Sequence, residues 1–188
     1  MKHLWLLRHG EAAQDAPGGA GDRERPLVER GRRDATALGR RLAAGTGALG
    51  IEVPVPEVAI CSAAVRTGQT AELVNRAMGD RLPVEAFRTL YGASPETVLR
   101  YIRELDDGAR SALVVGHNPT MYELAWELVG PAAPTAGPDD AEPADDRSVL
   151  RNHGFPTGSL AVVDLDVDAW EEAAAGCGAL AGVFSPPY

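Results

Sequence analysis

The feature that most constrains this fold is the alternation of short apolar runs with segments of helical periodicity. The runs HLWLLR at 3–8, SALVVGHNP at 111–119 and LAVVDLDV at 160–167 contain consecutive large apolar residues, as do strands that are buried on both faces. The segment after the first run is helical in period as far as about residue 44, with Leu38 and Leu42 on its apolar stripe. Strands that alternate with helices in this way predict an α/β domain.

The remaining elements follow the same pattern. We predict further strands at 55–62, 82–90 and 179–185, and helices at 63–79, 94–108, 120–130 and about 168–175. The helix at 94–108 has Ser94 as its N-cap and Pro95 at its first position, and the helix at 63–79 is expected to bury Val65, Leu73 and Ala77.

One segment breaks this pattern. Residues 131–148 are rich in Pro, Ala and Asp and nearly devoid of large apolar side chains, which predicts a flexible insertion. A chain of 188 residues fits one domain, 1–188, that carries this insertion.

The net charge and the cysteines limit which binding partners and which cellular compartment the sequence predicts. A formal net charge of −9 argues against binding to nucleic acid or to an anionic membrane surface. An anionic ligand would therefore have to be attracted by a local group of arginines. Two distant cysteines, with neither a signal peptide nor a membrane-spanning run in the sequence, favour the cytoplasm.

Chemically reactive residues stand where several of the predicted strands end. Arg8-His9-Gly10-Glu11 follows the first strand, Ser62 ends the second with Arg66 one helical turn later, and His117-Asn118 follows the strand that begins at 111. The carboxyl ends of parallel strands lie at one edge of a sheet, where ligands bind. We therefore expect Arg8, His9, Arg66 and His117 to converge.

Two arginines and two histidines at one place suit the chemistry of a phosphoryl group. The guanidinium of arginine presents a fork of donors that matches phosphoryl oxygens. A neutral imidazole can act as a nucleophile near neutral pH, and a second histidine can stabilise the negative charge that develops in transfer. A helix that begins beside Ser62 would add backbone N–H donors. The pattern predicts a phosphoryl-transfer site without a metal or other cofactor.

Four motifs, in order, carry a family resemblance. The segments LLRHGEA, RPLVERG, CSAAVRTGQTA and VVGHNP resemble those of the histidine phosphatase superfamily, and DRERPLVERGR with GHNP is most similar to its SixA-type phosphohistidine phosphatases. The resemblance implies a three-layer α/β/α sandwich with a mostly parallel sheet, like that of phosphoglycerate mutase. It also implies that His9 is transiently phosphorylated and that Arg8, Arg66 and His117 form the phosphate pocket.

Further positions are expected to contact substrate. Arg25 matches an arginine of the family, and four more candidates to line the pocket are Glu11, Ser62, Asn118 and Thr157.

The sequence departs from the family where members that hydrolyse phosphate esters place a glutamate acid. Only Glu85 and Glu96 occur in that region, and neither lies in a recognisable acid motif. Because an alkoxide needs a proton to leave, the departure favours phosphohistidine on a protein as substrate. Two alternatives stay open: a phosphatase or mutase of small phosphorylated metabolites, and a non-catalytic phosphate-binding module.

Overall fold

A six-stranded mixed sheet forms the centre of the protein, in a computed structural model that describes residues 1–130 and 146–188. In spatial order β3-β2-β4-β1-β5-β6, its strands are β1 (Lys2–Arg8), β2 (Val58–Ser62), β3 (Val84–Phe87), β4 (Ser111–Gly116), β5 (Leu160–Leu165) and β6 (Gly178–Phe184). The pairs β1–β4, β2–β4 and β2–β3 are parallel, whereas β5 is antiparallel to both β1 and β6. The predicted mostly parallel sheet is confirmed.

Helices cover both faces of this sheet. They are α1 (Glu29–Ala43), α2 (Val65–Ala77), α3 (Pro95–Arg103), α4 (Thr120–Leu128) and α5 (Asp146–His153). One apolar core lies beneath α1 and α2 and includes Leu38 and Val74, and the other lies beneath α3, α4 and α5 and includes Ile102, Leu124 and Leu150. The two cores confirm the three-layer sandwich. None of the helices in the described parts of the chain has the length and hydropathy to cross a bilayer.

Local sequence accounts for how two of the helices begin. Ser94 caps α3 as predicted, because its hydroxyl accepts a hydrogen bond of 3.3 Å from the backbone N–H of Thr97. Val28 precedes α1 without a side-chain cap. Its backbone N–H instead donates to the Glu11 carbonyl at 3.0 Å, which ties the start of α1 to the segment that follows β1.

The buried face of α2 differs from the prediction. Its fully buried residues are Arg66, Thr67, Thr70, Ala71 and Val74, whereas the expected Val65, Leu73 and Ala77 are half-buried. The apolar pattern was misleading because the first part of this face, Arg66 to Thr70, hydrogen-bonds to loops at the carboxyl edge of the sheet. Ala71 and Val74 pack into the apolar core.

Two other predicted elements also differ. Of the predicted insertion, 131–145 lie outside the described residues, but 146–148 form the first turn of α5. The Asp146 carboxylate accepts the backbone N–H of Leu180 at 2.7 Å, and Leu150 is fully buried, so tertiary contacts hold this polar helix. The helix predicted at about 168–175 is only a 3₁₀ turn at Trp170–Glu172.

Candidate active site

The register of two neighbouring strands brings the histidines together. Arg8 of β1 lies opposite Gly116 of β4, so His9 and His117 leave the sheet side by side. The backbone N–H of His9 donates to the Gly116 carbonyl at 3.0 Å, and the two imidazole centroids are 5.3 Å apart. The convergence expected of these positions, 108 apart in the sequence, is present.

Two glycines let α1 approach the segment that carries His9. A Cβ on Gly31 would lie 2.3 Å from the Glu11 carbonyl oxygen, and one on Gly10 would lie 2.9 Å from the Gly31 carbonyl oxygen. No side chain fits at either distance. The glycines of RHG and ERG are therefore required by backbone packing beside His9.

The polar residues of α2 each hold a different loop of the site. Thr70 accepts the backbone N–H of Gly10 at 3.1 Å, and Thr67 donates to the Ser62 carbonyl at 2.7 Å. The side-chain carbonyl of Gln69 accepts the backbone N–H of Leu27 at 2.8 Å. The RTGQT segment thus fixes the ends of β1 and β2 and the approach to α1 relative to Arg66.

The hydrogen bonding of His9 determines which of its ring nitrogens is free. Nδ1 lies 2.7 Å from the Gly10 carbonyl oxygen, which can only accept, so Nδ1 carries the proton and Nε2 keeps its lone pair. Burial lowers the pKa of His9 to about 4, assisted by the charge of Arg66 and opposed by the bond to Gly10. At neutral pH the ring is an uncharged base with an available Nε2.

His117 is arranged as a donor. Its Nε2 lies 2.9 Å from the Ser62 hydroxyl, which itself accepts the backbone N–H of Ala64 at 3.4 Å. With that hydroxyl donating to Nε2, the proton of the ring resides on Nδ1, which is buried without a partner in the described part of the chain. Burial, together with the charges of His9 and Arg66, lowers the pKa of His117 to about 3. The ring can therefore donate a hydrogen bond while remaining neutral.

Three guanidinium groups surround the two histidines. Arg66 is only 6% exposed, and its terminal nitrogens donate to the backbone carbonyl and the carboxylate of Asp22 at 2.7 and 2.9 Å. Arg8 donates to the Phe155 carbonyl at 2.9 Å, and its buried Nε has no partner among the described residues. Arg25 donates to the Asp22 carboxylate at 2.7 Å. The local charge is positive although the chain is acidic overall.

The remaining predicted positions divide into two groups. Ser62 contacts His117, and Asn118 donates to the Phe155 carbonyl at 3.0 Å, the same oxygen that holds Arg8. Glu11 and Thr157 instead line a groove of 320 Å³, where Glu11 lies 3.7 Å from Arg30. Neither of these two residues forms a hydrogen bond or an ion pair with the histidines or with Arg8 or Arg66.

Sequence reasoning did not identify two residues that the structure places here. The Tyr91 ring lies 5.5 Å from the His117 ring, and its hydroxyl donates to the Asp22 carboxylate at 2.5 Å. Asp22 lies within the DRERPLVERGR segment, so the family resemblance could have drawn attention to it. Tyr91 follows a short 3₁₀ turn after β3 and had no such signal.

Neither glutamate considered as an acid reaches this cluster. Glu85 is exposed on the edge strand β3, and Glu96 pairs with Arg103 at 3.0 Å. Within the described ranges, no three His, Cys, Asp or Glu side chains are grouped as metal ligands would be.

Comparison with known proteins places this arrangement in a family. Residues 4–91 match the model of the histidine phosphatase superfamily, branch 1. The chain is 33% identical over 180 residues to the uncharacterized protein Rv1276c of Mycobacterium tuberculosis, covering 96% of this chain and 99% of that protein.

Two solved structures named as SixA are similar over nearly their whole length. SixA from Nakamurella multipartitia is 28% identical, with a TM-score of 0.73 and coverage of 100% of this chain and 97% of that one. The protein histidine phosphatase SixA in complex with tungstate is 27% identical, with a TM-score of 0.65 and coverage of 98% and 97%. The chain thus belongs to the histidine phosphatase superfamily and is a histidine-type phosphatase.

Proposed function

We propose that this protein removes phosphate from phosphohistidine on a protein, in two steps and without a metal. The observation that carries the proposal is the state of His9: its Nδ1–H is held by the Gly10 carbonyl, and its Nε2 is free among guanidinium groups. The His9 nucleophile is thereby placed beside hydrogen-bond donors that can bind the oxygens of the phosphoryl group it attacks.

In the first step, Nε2 of His9 attacks phosphorus, and the bond between phosphorus and the substrate imidazole breaks. The electron pair of that bond stays on the departing imidazole nitrogen. Arg66 and Arg8 donate to the oxygens of the phosphoryl group, and the Nδ1–H of His117 is available for a third. The Gly10 carbonyl stabilises the positive charge that forms on the His9 ring.

In the second step, water attacks the phosphorus of phospho-His9 and the bond to Nε2 breaks. The products are inorganic phosphate, a proton that passes to solvent or phosphate, and His9 with its original lone pair. No separate base is required because the transition state of phosphoryl transfer is loose, so the attacking water forms little bond to phosphorus before it gives its proton to phosphate or solvent.

The choice of phosphohistidine rests on the leaving group. An alkoxide leaves only with a proton from an acid, whereas an imidazole that is protonated on its other nitrogen leaves as a neutral molecule. Among the described residues, Asp22 is the only carboxylate that pairs with Arg8, Arg25 or Arg66. Hydrogen bonds from Tyr91 and then Arg66 hold its pKa well below the usual range. In the free protein Asp22 is ionised and therefore carries no proton for a leaving group. The similarity to SixA proteins supports the same choice.

A substrate panel in the presence of a chelator tests this proposal. We expect kcat/KM to be higher for a phosphohistidine-bearing carrier protein than for a sugar phosphate or a nucleotide, and to be unchanged by the chelator. His9→Ala removes the nucleophile and should be inactive on all substrates. His153→Ala is the matched control. His153 ends α5, its ring lies 6.0 Å from the Phe155 ring, and it makes no hydrogen bond or ion pair with Arg66 or His117.

Two outcomes would contradict the proposal. A higher kcat/KM for a small phosphate ester would assign the protein to metabolite phosphatases. Binding of phosphate without turnover of any substrate would identify a binding module.

A further inference from the structure

Asp22 occupies both terminal nitrogens of Arg66, one with its carboxylate and the other with its backbone carbonyl, although a phosphoryl group would need the same donors. Asp22 accepts from both terminal nitrogens of Arg66, at 2.7 Å through its backbone carbonyl and at 2.9 Å through its side chain. The Arg66 side chain is 7% exposed, whereas that of Asp22 is 46% exposed. A solvent-facing anion is therefore placed on a buried cation.

The other contacts of this carboxylate show that it is held as an anion. Arg25 donates to its Oδ1 at 2.7 Å, and the Tyr91 hydroxyl donates to its Oδ2 at 2.5 Å. Three charged or polar donors thus converge on one carboxylate, an arrangement that would suit a phosphoryl group equally well. The low pKa of Asp22 is consistent with these contacts.

The turn that carries Asp22 has a second attachment that does not involve the carboxylate. Arg23 lies over the Tyr91 ring, 4.5 Å from its centroid, and the Arg66 guanidinium lies 5.9 Å from the same centroid. The backbone carbonyl of Asp22 also remains available to Arg66. Removal of the carboxylate should therefore leave the turn Asp22–Glu24 in place.

We propose that Asp22 is a specificity-determining residue that competes with the phosphoryl group for Arg66. This inference rests on the proposed function, because it assumes that Arg66 binds the phosphoryl oxygens. A substrate must displace the carboxylate, and the carboxylate returns to Arg66 when phosphate leaves. Free phosphate and other small oxyanions, which make no contacts beyond the pocket, are consequently weak ligands. A phosphorylated protein also contacts the enzyme outside the pocket, and the binding energy of those contacts offsets the competition from Asp22.

Oxyanion binding by charge-matched variants tests the competition directly. Dissociation constants for tungstate and for inorganic phosphate are measured by calorimetry for the wild type, Asp22→Asn and Asp22→Ala. We expect both variants to bind both anions about tenfold or more tightly, because a charge-assisted hydrogen-bond partner of Arg66 has been weakened or removed. In steady-state assays, product inhibition by phosphate should strengthen in the same proportion.

Glu24→Gln is the matched control. It removes one negative charge from the same turn. Glu24 is exposed, and its side chain makes no hydrogen bond or ion pair with any described residue, whereas its backbone N–H donates to the Gly21 carbonyl at 3.0 Å. Its dissociation constants should stay within about twofold of the wild type, because an exposed charge that does not pair with Arg66 is screened by solvent and salt. Equal tightening in Glu24→Gln and Asp22→Asn would show a general charge effect and overturn the proposal.

Other outcomes separate this inference from the proposed function. Unchanged or weaker binding in both Asp22 variants, with the fold intact by circular dichroism, overturns the competition even if phosphohistidine is hydrolysed. Tighter binding that Arg66→Ala abolishes supports the competition even if no phosphohistidine substrate is turned over. Failure of every variant to bind tungstate overturns the competition as well.

Discussion

Replacement of Arg66 by alanine should reduce catalysis far more than stability. The side chain is 6% exposed and directs two N–H donors, at 2.7 and 2.9 Å, to oxygens of the turn at Asp22. In the proposed transition state these donors would bind phosphoryl oxygens instead. Loss of one pre-organised donor to a developing oxyanion costs about 3–4 kcal/mol, so we expect kcat/KM to fall about 10²- to 10³-fold.

The lysine variant separates charge from geometry. Arg66→Lys keeps a cation but loses the planar fork, so we expect kcat/KM to lie between those of the wild type and Arg66→Ala. Folding should be affected little, since the ion-pair partner Asp22 is 46% exposed and becomes hydrated when Arg66 is removed. A shift of a few degrees in Tm is expected from the buried arginine stem.

The assay is steady-state hydrolysis of a phosphohistidine protein, with Tm measured on the same preparations. Arg76→Ala is the control, because Arg76 lies on the same helix, is 64% exposed and, within the described parts of the chain, forms an ion pair with Glu72 alone. It should keep the wild-type kcat/KM. A loss of less than about threefold in Arg66→Ala would refute the assignment of Arg66 to the transition state.

Four further predictions concern pH and the packing around His9. The pKa of His9 is about 4, so we expect kcat/KM to stay level from pH 7 to about 5 and to fall as the pH drops through about 4. The fall is expected because protonation removes the lone pair of Nε2. A midpoint near pH 6.5 in the profile of kcat/KM would contradict this prediction. Because the pKa of His9 is lower in the folded protein than in the unfolded chain, the unfolded chain takes up the proton at a higher pH. The urea midpoint should therefore decrease as the pH falls from 6.5 to about 4, and this decrease should be smaller in His9→Ala. Gly31→Ala should destabilise the protein by more than about 2 kcal/mol and lower its activity, because the added Cβ would lie 2.3 Å from the Glu11 carbonyl oxygen. A Tm equal to that of the wild type would contradict this packing. Thr70→Val should cost about 1 kcal/mol by removing the acceptor of the Gly10 N–H, and an unchanged urea midpoint would mean that this bond contributes nothing.

The fold was largely predictable because its strands are buried on both faces. The β1 and β4 segments are continuous apolar runs, so period and length sufficed to recognise them. The residues that follow such strands are expected at one edge of a parallel sheet, which is why His9 and His117 could be paired in advance. Ser94 and Pro95 likewise mark the start of α3 in the sequence.

Elements that depend on tertiary contacts could not be predicted in the same way. Helix α5 is mostly polar, and it is held by the burial of Leu150 and by the bond from Leu180 to Asp146. The buried face of α2 includes Arg66, Thr67 and Thr70 because these side chains hold the site, whereas Ala71 and Val74 follow the usual apolar rule. Local periodicity carries no information about either arrangement.

The contact of Asp22 with Arg66 and Tyr91 is the clearest case of this limit. Asp22 is 44 residues from Arg66 and 69 from Tyr91 in the sequence, and neither Asp22 nor Tyr91 lies in a regular strand or α-helix. A side chain in an irregular segment has no periodicity from which its direction can be inferred. Only the three-dimensional structure shows that a carboxylate faces the phosphate-binding arginine.

The most direct test of the account is the position of the phosphoryl group on the enzyme. Rapid acid-free quenching of the protein during turnover, followed by ³¹P NMR and peptide mapping, distinguishes the two isomers of phosphohistidine. The hydrogen bond from Nδ1 to the Gly10 carbonyl predicts that phosphate resides on Nε2 of His9. Phosphate on Nδ1 of His9, on another residue, or on no residue while hydrolysis proceeds would contradict the proposed mechanism.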